Sequence, residues 1–140
     1  MSARLVPELY VFDFKESLYF YTDVLGFAVL YDRKDERFAY LELEGAQLML
    51  EEVSDSSRQF GSARLERPLG RGVNLQIQIS MVDVLYERVL SSNAEVVIAI
   101  EEKWYRVNSR EGGNRQFVVS DPDGYLLRFY TDLGDRPIPI

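Results

Sequence analysis

The sequence predicts an α+β protein: two βαβββ modules forming a curled mixed sheet with a concave ligand cleft. Three observations lead there. A stretch from Val6 to Tyr21 reads strand, Asp13, apolar helix, and a degenerate echo about 70 residues later, Gln76 to Leu90, reads strand, Asp83, apolar helix. Each copy closes on a matching element, Gly45-Ala46-Gln47-Leu48-Met49-Leu50 in the first and Gly124-Tyr125-Leu126-Leu127-Arg128-Phe129 in the second. Within the expected strands apolar and polar residues alternate with period two, which gives each strand one packed face and one free face. Duplicated units usually pack about a pseudo-two-fold axis, and the cleft they enclose is where ligands bind.

The elements follow in order. Strand one is expected from Arg4 to Phe12, ending at Asp13, which with Ser17 offers capping oxygens to a helix from Lys15 to Val24. Gly26 stops that helix. Strand two runs from Phe27 to Asp32, and Lys34-Asp35-Glu36-Arg37 is a charged hairpin turn into strand three, Phe38 to Leu43. Glu44-Gly45 then turns into strand four, Gln47 to Val53. Residues 54–72, rich in Ser, Gly, Arg and Pro, read as a linker between modules at about 1–53 and 73–133 of one domain, 1–140. The second module repeats the order: strand Val73 to Ser80, helix Val82 to Ser92, strand Glu95 to Ile100. A polar loop from Tyr105 to Asn114 is expected next, then strand Gln116 to Val119, the turn Asp121-Pro122-Asp123-Gly124 and a last strand from Tyr125 to Thr131.

Composition narrows the chemistry. The 140 residues are 46% hydrophobic, enough for one domain with a real core. No apolar run approaches the roughly 18 residues of a membrane span, and no basic-then-apolar leader opens the chain, so a soluble cytoplasmic protein is expected. With no cysteine there is no thiolate nucleophile and no zinc–thiolate site. With no histidine the commonest general base and metal ligand is missing. A net charge of −7 argues against nucleic acid and anionic membranes as partners. It serves solubility, or it draws a cationic ligand toward an acidic cleft.

The paired βαβββ units, the strand-Asp-x-x-x-Ser-helix opening and Phe117-Val118-Val119-Ser120-Asp121-Pro122-Asp123-Gly124-Tyr125 resemble the vicinal oxygen chelate superfamily. That group includes glyoxalase I, extradiol dioxygenases, fosfomycin-resistance transferases and bleomycin-resistance proteins. Val6-Pro7, Leu25-Gly26-Phe27 and Gln116-Phe117-Val118-Val119 are most similar to the bleomycin-resistance group. The resemblance spans nearly the whole chain and implies the glyoxalase/bleomycin-resistance fold. In metal-using members His, Glu or Gln ligands stand near the start of each module's first strand and within its last. Counting from Asp13, Asp83, Gly45 and Gly124 places those positions at Val6, Gln76, Met49 and Arg128. Only Gln76 could ligate a divalent ion, and a guanidinium at Arg128 repels one. No metal and no other cofactor are therefore expected.

What remains is a cavity. Bleomycin-resistance proteins bind and sequester the drug, whose planar bithiazole and cationic tail suit aromatic faces and negative charge. The expected ligand-binding residues are Phe38, Tyr40, Met49, Gln76, Gln78, Trp104, Tyr105, Arg128 and Tyr130, with Glu101 and Glu102 preceding the single tryptophan. Five of them have a plainer alternative: core packing for Phe38 and Tyr40, loop anchoring or a dimer contact for Trp104 and Tyr105, and an ion pair with Glu51 for Arg128. The resemblance further implies a homodimer, and Pro7, which lacks a backbone donor, suits an edge or exchanged strand. The leading functional expectation is a metal-free binding protein for a bleomycin-like or related compound. The alternative is a glyoxalase- or dioxygenase-like metalloenzyme with substituted ligands.

Overall fold

In the computed structural model, which describes residues 2–55, 57 and 64–140, the element order is βαβββ twice. The strands are β1 (Glu8–Val11), β2 (Ala28–Arg33), β3 (Phe38–Leu43), β4 (Ala46–Glu52), β5 (Asn74–Gln78), β6 (Glu95–Val107), β7 (Arg110–Ser120) and β8 (Leu126–Pro137). The helices are α1 (Phe14–Tyr19) and α2 (Val82–Leu90). They form two four-stranded mixed sheets with the same internal order, β1-β4-β3-β2 and β5-β8-β7-β6. In each, the first strand runs parallel to the last and the other pairs are antiparallel. Part of the expected linker, residues 56 and 58–63, lies outside the described residues.

The chain divides into two compact units, Met1–Val73 with Asp121–Tyr125, and Asn74–Ser120 with Leu126–Ile140. In the first, α1 starts because the Asp13 carboxylate accepts from the Glu16 N–H at 3.2 Å, the expected N-cap. The helix continues as a wider π turn over Phe20–Val24 and stops at Gly26. Its inward side chains, among them Phe14, Tyr21 and Leu25, are buried, as are Leu9, Val11, Leu41, Leu48 and Leu50 on the sheet. β1 is shorter than expected and begins after Pro7. Proline cannot donate to the ladder, though its carbonyl still accepts from the Met49 N–H at 2.9 Å. β1 is also an edge strand, as the proline suggested.

The second unit packs Val82, Leu85 and Val89 of α2 over Ile77, Phe117, Val119, Leu127 and Phe129. Tyr86 meets Phe117 at 5.0 Å between ring centroids, and Phe117 meets Phe129 at 5.7 Å. α2 has no side-chain cap at Met81; the Thr131 hydroxyl instead accepts from the Val82 N–H at 3.1 Å.

One expectation is corrected. The polar loop from Tyr105 to Asn114 is a long hairpin, in which β6 and β7 pair up to a two-residue connection at Asn108 and Ser109, with Asn108 at φ 55°. Polar residues persist there because both strand faces are largely exposed. The Asp-Pro-Asp-Gly turn forms as expected, and it packs with the first unit although its sequence lies within the second repeat. Asp121 accepts from the Tyr21 hydroxyl at 2.7 Å and from the Asp123 and Tyr125 N–H groups. Asp123 accepts from the Phe12 N–H at 3.2 Å and from the Arg67 guanidinium at 2.9 Å. Gly124 has φ +89°, and a Cβ there would lie 2.4 Å from Pro68 Cβ, so only glycine fits.

Candidate functional site

Strand pairing decides which side chains share a face. In the second unit Gln76 lies opposite Arg128 and Arg128 opposite Val118. Gln78 lies opposite Tyr130, Tyr130 opposite Gln116 and Gln116 opposite Glu101. Directly opposed residues point to one side of a sheet, so all these share the face turned away from α2. There Glu101, Gln116, Tyr105, Arg128 and Gln76 form one hydrogen-bonded chain, with Gln78 and Tyr130 as a separate pair on the same face. The Gln116 amide, in a residue only 3% exposed, donates to the Tyr105 hydroxyl at 2.6 Å and to Glu101 at 3.2 Å. Arg128 donates to the Gln76 carbonyl oxygen and, at 3.4 Å, to the Tyr105 hydroxyl. The Tyr130 hydroxyl donates to Gln78 at 3.2 Å.

The structure thus brings Gln76, Gln78, Tyr105, Arg128 and Tyr130 together. Trp104 is not among them. Adjacent residues of a strand point to opposite faces, and Trp104 stacks beneath the Arg136 guanidinium, 3.9 Å from its ring, on the other side from Tyr105. Its ring lies over Gly113, where an added Cβ would come within 2.6 Å of it. Gln116 joins the network though it was not singled out; a Gln at free-face parity in the otherwise apolar run Phe117-Val118-Val119 was its signal.

In the first unit the corresponding face carries two rows. Glu8 lies opposite Met49, Met49 opposite Tyr40 and Tyr40 opposite Tyr31; Tyr10, Glu51, Phe38 and Arg33 form the next row. Tyr31 stacks on Tyr40 with centroids 5.0 Å apart, and the Arg33 guanidinium covers the Phe38 ring at 3.9 Å. Phe38 and Tyr40 are 2% and 7% exposed, so packing occupies most of their surface. The Tyr40 hydroxyl donates to Gln47 at 2.6 Å. Tyr31, half exposed, is the aromatic ring this face offers most openly.

The same registers test the metal positions. Gln76 opposes Arg128 in one sheet and Glu8 opposes Met49 in the other, so Glu8, two residues beyond Val6, is the counterpart of Gln76. The count from Asp13 and Asp83 slipped because Asp13 caps its helix from outside, whereas Asp83 lies inside α2 and Met81 occupies the capping position. Neither pair fits a divalent ion: the first offers one carboxylate and a thioether, the second one amide and a guanidinium. Hard cations take several oxygens, and a guanidinium in the set adds repulsion. A groove of about 660 Å³ in the first unit, between Phe12–Lys15 and the Lys34–Arg37 turn, contains none of the expected ligand residues.

Comparison with known proteins gives this geometry its context. The family model "Glyoxalase/Bleomycin resistance protein/Dioxygenase superfamily" matches residues 4–129. A "Bleomycin resistance protein" of Geobacillus stearothermophilus is 26% identical over 91% of this chain and 96% of its own length. The crystal structure of a glyoxalase/bleomycin resistance protein/dioxygenase superfamily member from Vibrio splendidus 12B01 is 44% identical, covering 93% of this chain and 98% of that one, with a TM-score of 0.44. That of TioX from Micromonospora sp. ML1 is 22% identical with a TM-score of 0.70, covering 94% of this chain and all (100%) of that one. With its twice-repeated βαβββ order, its pair of mixed sheets and a family match over nearly its full length, this chain belongs to the glyoxalase/bleomycin resistance protein/dioxygenase superfamily.

Proposed function

We propose that this protein is a metal-free binding protein that sequesters a small aromatic compound, of the bleomycin-like kind or related to it, without transforming it. The observation that carries this reading is the pair of cross-strand partners Glu8–Met49 and Gln76–Arg128. In each unit the pair stands where the superfamily resemblance puts metal ligands, and its chemistry suits ligand binding better than Lewis-acid catalysis. Relatives named for bleomycin resistance support the ligand class, and Tyr31 offers a flat ring for stacking. The net charge of −7 favours a ligand with a cationic group.

The same reading has the two units acting as one cytoplasmic domain and the protein working as a homodimer. Exposed Val29, Leu30 and Tyr31 on the edge strand β2 support a second copy docking there. Light scattering tests this: a 16.2 kDa species at micromolar concentration removes the dimer.

Calorimetric titration with bleomycin, with elemental analysis of the same sample, tests the function. Saturable binding by protein holding no stoichiometric transition metal is the expected result. About one tightly held zinc, iron or nickel per chain would favour the metalloenzyme reading instead.

A further inference from the structure

We infer that the free face of the second unit's sheet binds an oxyanion carried by an aromatic ligand, through the Arg128 guanidinium and the Tyr105 hydroxyl. This rests on the reading of that face as a ligand site and adds the chemical group it selects. A guanidinium on a half-buried sheet face is ordinarily paired with a carboxylate, since a cation removed from water needs a counter-charge. Arg128 has none within its unit. Its hydrogen bonds run to two neutral acceptors, the Gln76 side-chain oxygen and the Tyr105 hydroxyl, and its Nε is buried without a hydrogen-bond partner. The carboxylates at the parity of this face have other partners: Glu101 accepts from the Gln116 amide, Asp132 from the Gly134 N–H and Asp135 from the Arg110 guanidinium.

Tyr105 is unspent in the complementary way. Its oxygen accepts from both Gln116 and Arg128, so its own proton is left to donate, and no acceptor for it is found among the described residues. A guanidinium that makes no ion pair within its unit and an unused hydroxyl donor thus share one oxygen-linked cluster. A planar or tetrahedral oxyanion satisfies both at once, and charge-assisted bonds to a guanidinium fork are the strong ones. Gln76 and Gln116 hold the two donors in place. The buried Nε–H, which has no hydrogen-bond partner, reports on changes around the guanidinium.

The test follows Arg Nε–Hε signals by NMR on the full chain, with the Arg128 signal identified by its loss in Arg128→Lys. Benzoate, benzenesulfonate and phenylphosphonate are titrated beside benzamide, which has the ring and shape of benzoate without its charge. We expect benzoate or one of the other anions to move the Arg128 signal and the Gln116 amide saturably at millimolar concentration, with benzamide at least tenfold weaker. The strongest of the three identifies the oxyanion. Tyr105→Phe weakens that anion about tenfold, as expected for one lost bond to a charged group. Arg128→Gln removes the preference for anion over amide, and Arg128→Lys, which keeps the charge and loses the fork, retains part of it. Equal response to benzoate and benzamide, a preference that survives Arg128→Gln, or no saturable shift with any of the three anions overturns the inference. Anion binding without bleomycin binding would leave this inference standing and remove the proposed ligand; the reverse outcome would do the opposite.

Discussion

Replacing Tyr21 by Phe probes the buried link that ties the Asp-Pro-Asp-Gly turn to α1. Tyr21 is fully buried, and its hydroxyl donates to Asp121 Oδ2 at 2.7 Å. A hydrogen bond to a charged group is worth about 1.5–3 kcal/mol, so the variant should lose ~2 kcal/mol. For a chain of 140 residues the unfolding entropy is about 0.3 kcal/mol/K, which puts the fall in Tm at ~7 °C. The loss should also depend on pH. Burial pushes the Asp121 carboxyl above the usual carboxylate range, and bonds from the Tyr125 N–H, the Tyr21 hydroxyl and the Asp123 N–H pull the other way. A raised folded value means that stability from this group is full below the unfolded value and is lost as pH rises through the folded one. Without the Tyr21 hydroxyl the folded value rises further. The deficit of the variant is therefore small in acid and grows toward neutral pH. Urea unfolding of wild type, Tyr21→Phe, Asp121→Asn and the double variant across that range gives both the deficit and the coupling. A deficit below about 0.5 kcal/mol, the range of a neutral surface change, would refute the argument. So would one that is equally large at every pH or undiminished in the Asp121→Asn background.

Three further outcomes are expected. Trp104→Ala should cost roughly 2 kcal/mol of stability, less than a fully buried tryptophan, while bleomycin or benzoate affinity stays unchanged; a clear affinity loss with an intact melting curve would return Trp104 to the site. Gly113→Ala forces a methyl into the Trp104 ring and should cost about 1–3 kcal/mol by overpacking, with a shift in tryptophan emission as the ring is displaced; no cost and no shift would mean that the ring does not pack on Gly113. Asp13→Ala removes the cap of α1 and should cost ~1 kcal/mol by urea unfolding; a cost near zero would mean the cap is dispensable.

The sequence by itself determined what depends on short-range pattern. Period-two alternation gave the strand faces, as in Leu48 and Leu50 against Gln47 and Met49, and the repeat with its capping and turn residues gave the βαβββ order twice. These are local properties of backbone stereochemistry and of apolar residues seeking burial. Tertiary structure alone decided three other things. The pairing register put Glu8, rather than Val6, opposite Met49, because a capping aspartate and one inside a helix look alike in sequence yet differ by two residues in place. Strand extension set Trp104 and Tyr105 on opposite faces, which a polar stretch read as loop conceals. The Asp121–Tyr125 turn joined the first unit through Tyr21, Arg67 and Tyr10, partners 56 to 115 residues away in the chain. Such contacts follow from which buried carboxylates find donors once the sheets have formed, and no local pattern encodes that choice.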